Sequence, residues 1–127
     1  MEIILSSVLV DDQSKALKFY TGVLGFEKKH DIPLGEARWL TLVSPGGTNT
    51  VELLLEPMGF PPARTYQKAL FEAGIPLTAF GVKDIHAEYK RLRNLGVVFK
   101  GEPKAAGPVT IAIFEDTCGN LIQLVQQ

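Results

Sequence analysis

The sequence predicts an α+β fold made of two β-α-β-β-β modules in tandem. Three observations carry that prediction. The strand-length run Thr50 to Glu56, with Glu52 inside it, recurs as Leu121 to Val125, so a shift of 71 residues lays Val51 on Ile122, Glu52 on Gln123 and Asn49 on Asn120. The pairs Leu24-Gly25 and Leu95-Gly96 are also 71 apart. Upstream the shift is 72, which pairs Leu5 with Leu77, Val10 with Val82 and Asp12 with Asp84. One residue of length difference inside a helix reconciles the two offsets.

Each element has its own signal. Ile3 to Val10 alternates as a strand, with Leu5, Ser7 and Leu9 on one face and Ile4, Val8 and Val10 on the other. Asp11 and Asp12 supply a helix cap, Ala16, Phe19, Tyr20, Val23 and Leu24 give that helix one apolar face, and Gly25 stops it. Phe26 to Ile32, Arg38 to Val43 and Thr50 to Glu56 read as strands, the last two joined by the turn Pro45-Gly46-Gly47. Pro57 to Gly74 is a proline-rich connector with a short helix around Arg64 to Glu72, from which Tyr66, Leu70 and Ala73 should point inward.

The second module repeats the plan. Pro76 to Val82 is a strand, and Asp84 caps a helix with inner residues Ile85, Tyr89, Leu92 and Leu95. Val97 to Lys100 reads as a short strand and Gly101 to Pro108 as a loop. Val109 to Phe114 and Leu121 to Val125 complete the set around the turn Asp116 to Asn120. The single domain of residues 1–127 thus divides into module one, about 1–56, a connector, 57–74, and module two, about 75–127.

Composition excludes several classes. A net charge of -1 gives no reason to expect nucleic acid as a partner. No apolar run approaches the roughly 20 residues that span a bilayer, and the acidic N-terminal stretch is not a signal peptide. One cysteine, Cys118, leaves no internal disulfide and suits a reducing, cytoplasmic setting. HExxH, GxSxG, CxxC and phosphate-loop motifs are absent; Gly46-Gly47-Thr48-Asn49 lacks the Gly-Lys-Ser/Thr ending.

The paired modules, Phe19-Tyr20 followed by Leu24-Gly25-Phe26, and the closing Glu115-Asp116-x-x-Gly119-Asn120 strand resemble the vicinal oxygen chelate superfamily. That group includes glyoxalase I, bleomycin-resistance proteins and extradiol dioxygenases. The resemblance covers nearly the whole chain and implies half-barrel sheets enclosing a cavity, and a homodimer. It also implies where a metal would be held in the metal-dependent members: Leu5, Glu52, Leu77 and Gln123. Leucine has no lone pair, and one carboxylate with one amide falls short of the three or four donors a transition metal takes. No metal and no other cofactor is therefore expected.

Two function classes remain. In the first, the protein binds a small apolar or aromatic molecule in the cavity between its modules, with Leu5, Ser7, Trp39, Glu52, Leu54, Leu77, Phe80 and Gln123 lining it. In the second, it is a metal- or acid/base-dependent enzyme of the glyoxalase lyase or extradiol dioxygenase type that uses Glu52 as its catalytic group, and only on this alternative does a divalent metal enter. Leucine at positions 5 and 77 favours binding. Trp39 reads as cavity wall or as core, and His30 as a base facing the cavity or a surface strand residue. His86 reads as a solvated helix residue and Cys118 as an unactivated turn thiol. In an apolar cavity Glu52 should titrate above the usual carboxylate value, and Glu52→Gln should leave folding intact or slightly improved.

Overall fold

The computed structural model describes residues 1–46 and 51–127. Gly47, Asn49 and Thr50, which the sequence reading used, lie outside the described residues. The chain forms two compact units, Met1–Arg64 and Thr65–Gln127. The first holds β1 (Leu5–Val10), α1 (Gln13–Lys18), β2 (Glu27–Leu34), β3 (Ala37–Val43) and β4 (Glu52–Pro57). Helix α2 (Pro61–Glu72) follows, and then β5 (Thr78–Gly81), α3 (Ile85–Asn94), β6 (Lys104–Ala106), β7 (Val109–Glu115) and β8 (Leu121–Gln126). Each unit has one four-stranded mixed sheet, in the order β1-β4-β3-β2 and β5-β8-β7-β6. The outer pairs β1–β4 and β5–β8 are parallel and the rest antiparallel. The two sheets have one topology, as the internal repeat requires.

Both helices start on the expected aspartates. Asp12 accepts the amide of Lys15 and Asp84 that of Ala87, each at 3.0 Å. Their endings explain the change of offset. Helix α3 closes with Val97 N–H on the Leu92 carbonyl, past Gly96 at φ +89°. Helix α1 instead runs into a π-helical turn, Phe19–Val23, and Phe26 N–H reaches back to Tyr20 before the chain leaves through Gly25 at φ +90°. The wider turn absorbs one more residue between cap and glycine, which converts a shift of 72 into 71.

In the first sheet Val8, Val10, Leu40, Leu42 and Leu55 are buried with Ala16, Phe19 and Tyr20 of the helix. At about 2 kcal/mol for each large side chain taken from water, this layer dominates the unit's stability. Among the described residues, β3 and β4 pair at Thr41–Leu54 and Leu42–Leu53. Beyond that they part, and the Gln13 carboxamide spans them, donating to the Arg38 and Leu55 carbonyls at 2.7 and 2.8 Å and accepting from Arg38 N–H at 3.0 Å. In the second sheet Ala112, Phe114, Ile122 and Leu124 are buried, as are Ile85 and Leu92 of α3.

Four details differ from the sequence reading. Tyr66 is exposed and Ala73 too, and the buried residue of α2 is Gln67, whose amide donates to the Cys118 carbonyl at 3.1 Å and to Asn120 Oδ1 at 3.0 Å. Leu95 is exposed because it lies at the helix cap, past the last inward turn. Residues 97–100 make only an isolated bridge, Phe99 to Phe114, whereas β6 forms inside the expected loop. Gly107, at φ +63°, makes the tight reversal that returns Ala106 against Val109.

The closing turn is a buried polar knot. Asp116 Oδ1 accepts the Cys118 and Asn120 amides and its Oδ2 accepts the Asn120 side chain at 2.7 Å. Gly119 adopts φ +98°, and a Cβ there would lie 2.6 Å from Gln67 Oε1. The Asp-x-x-Gly-Asn spacing is therefore architecture, and Cys118 is fully buried within it.

Candidate functional site

The parallel register sets Leu5 against Glu52 and Ser7 against Leu54, so these four share the face of the first sheet opposite Val8 and Val10. Thr41 pairs with Leu54, which adds Thr41 and Trp39 of β3 to the same face. From β2 come His30, opposite Thr41, and Ile32, opposite Trp39. The face has a buried floor at Thr41 and Leu54, with Leu5 and Ile32 exposed above it.

Glu52 is the hub. Thr41 Oγ1 donates to Glu52 Oε1 at 2.7 Å, Lys29 Nζ lies 3.4 Å from Oε2, and His30 Nε2 lies 3.8 Å from Oε1. Lys29 and His30 are consecutive, and in a regular strand they would point to opposite faces. The β2–β3 register slips between Lys28 and His30, and this bulge is what brings both to one carboxylate. Lys28 stays on the other face, 3.6 Å from Asp31, which Arg38 also grips at 2.7 and 2.9 Å.

The Thr41 hydrogen bond is the main cause holding the Glu52 carboxyl below its ordinary value, with Lys29 and then His30 adding to it against a contrary push from partial burial. The expected upward shift is thus reversed. The face is wetter than an apolar cavity, the Glu52 side chain being 21% exposed, and Lys29 brings a cation to it. Asp31 is likewise held low, chiefly by Arg38.

The second sheet places Gln123 beside Ala79 and next to Leu77, whose amide donates to the Leu121 carbonyl. Phe80 does not join them. It pairs with Leu124 and shares the buried face with Ile122, because it is one residue out of phase with Leu77. His86 is exposed. A groove of about 670 Å³ in this unit runs past Phe80, Gly81, Lys83 and Val125. Sequence reasoning missed Lys29 and Thr41. Thr41 was accessible by alternation from Trp39, but Lys29 depends on the bulge.

The donor set does not fit a transition-metal centre. Leu5 and Leu77 offer nothing, Gln123 a neutral amide, and Glu52 a carboxylate already engaged by a hydroxyl and two basic groups. Among the described residues no group of three or more His, Cys, Asp or Glu side chains is arranged to hold a metal ion.

Two mixed sheets of identical topology, each with a helix over one face and the other face open, define a tandem βαβββ protein. Residues 4–124 match the Glyoxalase/Bleomycin resistance protein/Dioxygenase superfamily, and the chain belongs to it. It is 56% identical over 127 residues to the uncharacterized protein YurT of Bacillus subtilis (strain 168), covering all of both chains. It is 32% identical over 132 residues to a probable lactoylglutathione lyase of Synechocystis sp. (strain ATCC 27184 / PCC 6803 / Kazusa), covering 99% of this chain and 95% of that one. Among crystal structures it resembles TnmS3, an antibiotic binding protein from Streptomyces sp. CB03234, with a TM-score of 0.77 and 32% identity over 99% of this chain and 95% of that one.

Proposed function

We propose that the protein binds a small, flat, partly apolar molecule without a metal, and that the open face of the first sheet is its recognition surface. One observation carries the reading: Glu52 is committed to Thr41, Lys29 and His30, beside an apolar platform made by the Trp39 ring and the aliphatic Ile32. Leu5, Ser7 and Leu54 supply the neighbouring wall. In the second unit Leu77 lies on the same sheet face as Gln123, which pairs there with Ala79, and we assign that face to ligand binding as well. The likeness to TnmS3 supports binding over turnover.

A second copy of the chain is the partner we assign. Strand β1 is a sheet edge, and Ile3 and Ile4 beside it are 77% and 62% exposed, an apolar edge that proteins usually cover.

The likeness to a probable lactoylglutathione lyase favours a second reading, in which Glu52 exchanges a proton with substrate while His30 steadies its charge. The two readings separate in one experiment. A thermal-shift screen of planar polycyclic antibiotics should find compounds that raise the melting temperature and quench Trp39, the only tryptophan. No hit among them, together with lactoylglutathione lyase activity in the same preparation, would favour the enzyme.

A further inference from the structure

The β2 bulge gives the open face a chemical preference. A strand without it would send Lys29 and His30 to opposite sides, and Glu52 would have one basic neighbour at most. With it, two basic side chains converge on one carboxylate. Both are still 45% and 44% exposed, so their heads can turn toward solvent or toward a bound group without unpacking anything. Glu52 would not be orphaned by that turn, because it keeps the Thr41 hydroxyl, which is anchored on a fully buried residue. A positively charged ligand would have to approach Glu52 past both basic groups. An acidic one meets them first.

The apolar part of the ligand is fixed by the same ladder. Trp39 and Ile32 form the cross-strand pair adjacent to Thr41 and His30. Same-face neighbours along a strand are about 7 Å apart. A planar ring lying on Trp39 therefore places a substituent about 7 Å from its centre over the Thr41–His30 pair, beside the carboxylate on which the Lys29 and His30 heads converge.

We infer that this face selects planar aromatic ligands carrying an acidic oxygen, with Trp39 and Ile32 taking the ring and Lys29 and His30 transferring from Glu52 to the anion. The inference rests on the reading of this face as the ligand surface and adds the ligand's charge and length.

The test uses 4-phenylbenzoate and its neutral counterpart 4-phenylbenzamide, followed by quenching of Trp39 with excitation at the red edge of its absorption, at neutral pH and low salt. The acid should bind about tenfold more tightly than the amide, as a charge-assisted contact requires, and the gap should narrow as salt is added. Lys29→Gln should remove most of the gap, whereas Lys28→Gln, on the opposite face, should leave it unchanged. Glu52→Gln should tighten the acid and not the amide, because it releases both basic groups. Equal binding of acid and amide overturns the inference and leaves the face a neutral ligand surface. A preference for the acid that survives Lys29→Gln overturns the assignment to the bulge. Quenching by neither probe up to its solubility limit removes the inference and the ligand surface together.

Discussion

Thr41 and Glu52 sit on neighbouring strands, and the buried hydroxyl of the first donates to the carboxylate of the second at 2.7 Å. A hydroxyl hydrogen bond to a carboxylate favours the ionised form, and the nearby Lys29 acts in the same direction. Glu52 is therefore an anion at neutral pH, held in one orientation.

Carboxyl titration by NMR should place Glu52 below the ordinary glutamate value of about 4.3. Thr41→Val keeps the shape, removes the donor and should move Glu52 upward, at a cost of about 1 kcal/mol in stability. A group whose folded value is depressed contributes stability above its unfolded value, lost as pH falls through the folded one. Glu52→Gln should consequently be less stable than the parent at pH 7 and converge with it in acid. This reverses the sequence-based expectation of a neutral or stabilising change. Denaturant unfolding at several pH values measures it.

Gly119→Ala should destabilise by about 2 kcal/mol or more, since alanine is strained at φ +98° and its Cβ would meet Gln67. Gln67→Ala should cost about 2 kcal/mol by leaving the Cys118 carbonyl and Asn120 without their donor. In the double variant the Gly119→Ala penalty should shrink, because the steric part disappears while the backbone strain stays. Additive costs in such a cycle would mean that Gln67 does not abut Gly119 in solution.

Light scattering should give about twice the 13.9 kDa chain mass at micromolar concentration. Ile4→Lys adds a charge to the exposed β1 edge and should shift the population to monomer while the far-ultraviolet circular dichroism stays unchanged. A parent that is already monomeric contradicts the assigned partner.

The repeat made the architecture legible. Asp12 and Asp84 as caps, Gly25 and Gly96 as stops, and the strand that closes each module all follow from offsets of 71 and 72 residues, and even the extra helical residue was visible as the difference between them. What escaped depends on contacts made at a distance. Gln67 lies in a polar stretch of helix, and its burial reflects the knot around Asp116, 49 residues further on. For the site, alternation along β1 set Leu5 and Ser7 on one face and the repeat pointed to Glu52, whereas Trp39, open between cavity wall and core in the sequence, is placed beside them and Leu54 by the cross-strand register. Phe80 failed through a parity slip that the strand's own alternation could have caught. Lys29 could not be read at all, because a bulge is fixed by cross-strand register rather than by local pattern. The sign of the Glu52 shift went wrong for the same reason: its neighbours were unseen, so burial alone was weighed.

Under the proposed function, this member of the family holds Glu52 for ligand recognition rather than for a metal. Elemental analysis of protein purified without chelator or affinity tag tests it most directly. Zinc, nickel, iron and manganese together should amount to far below one atom per chain, and the melting temperature should not rise when any of these ions is added. About one tightly held metal per chain, lost on Glu52→Gln, would contradict it.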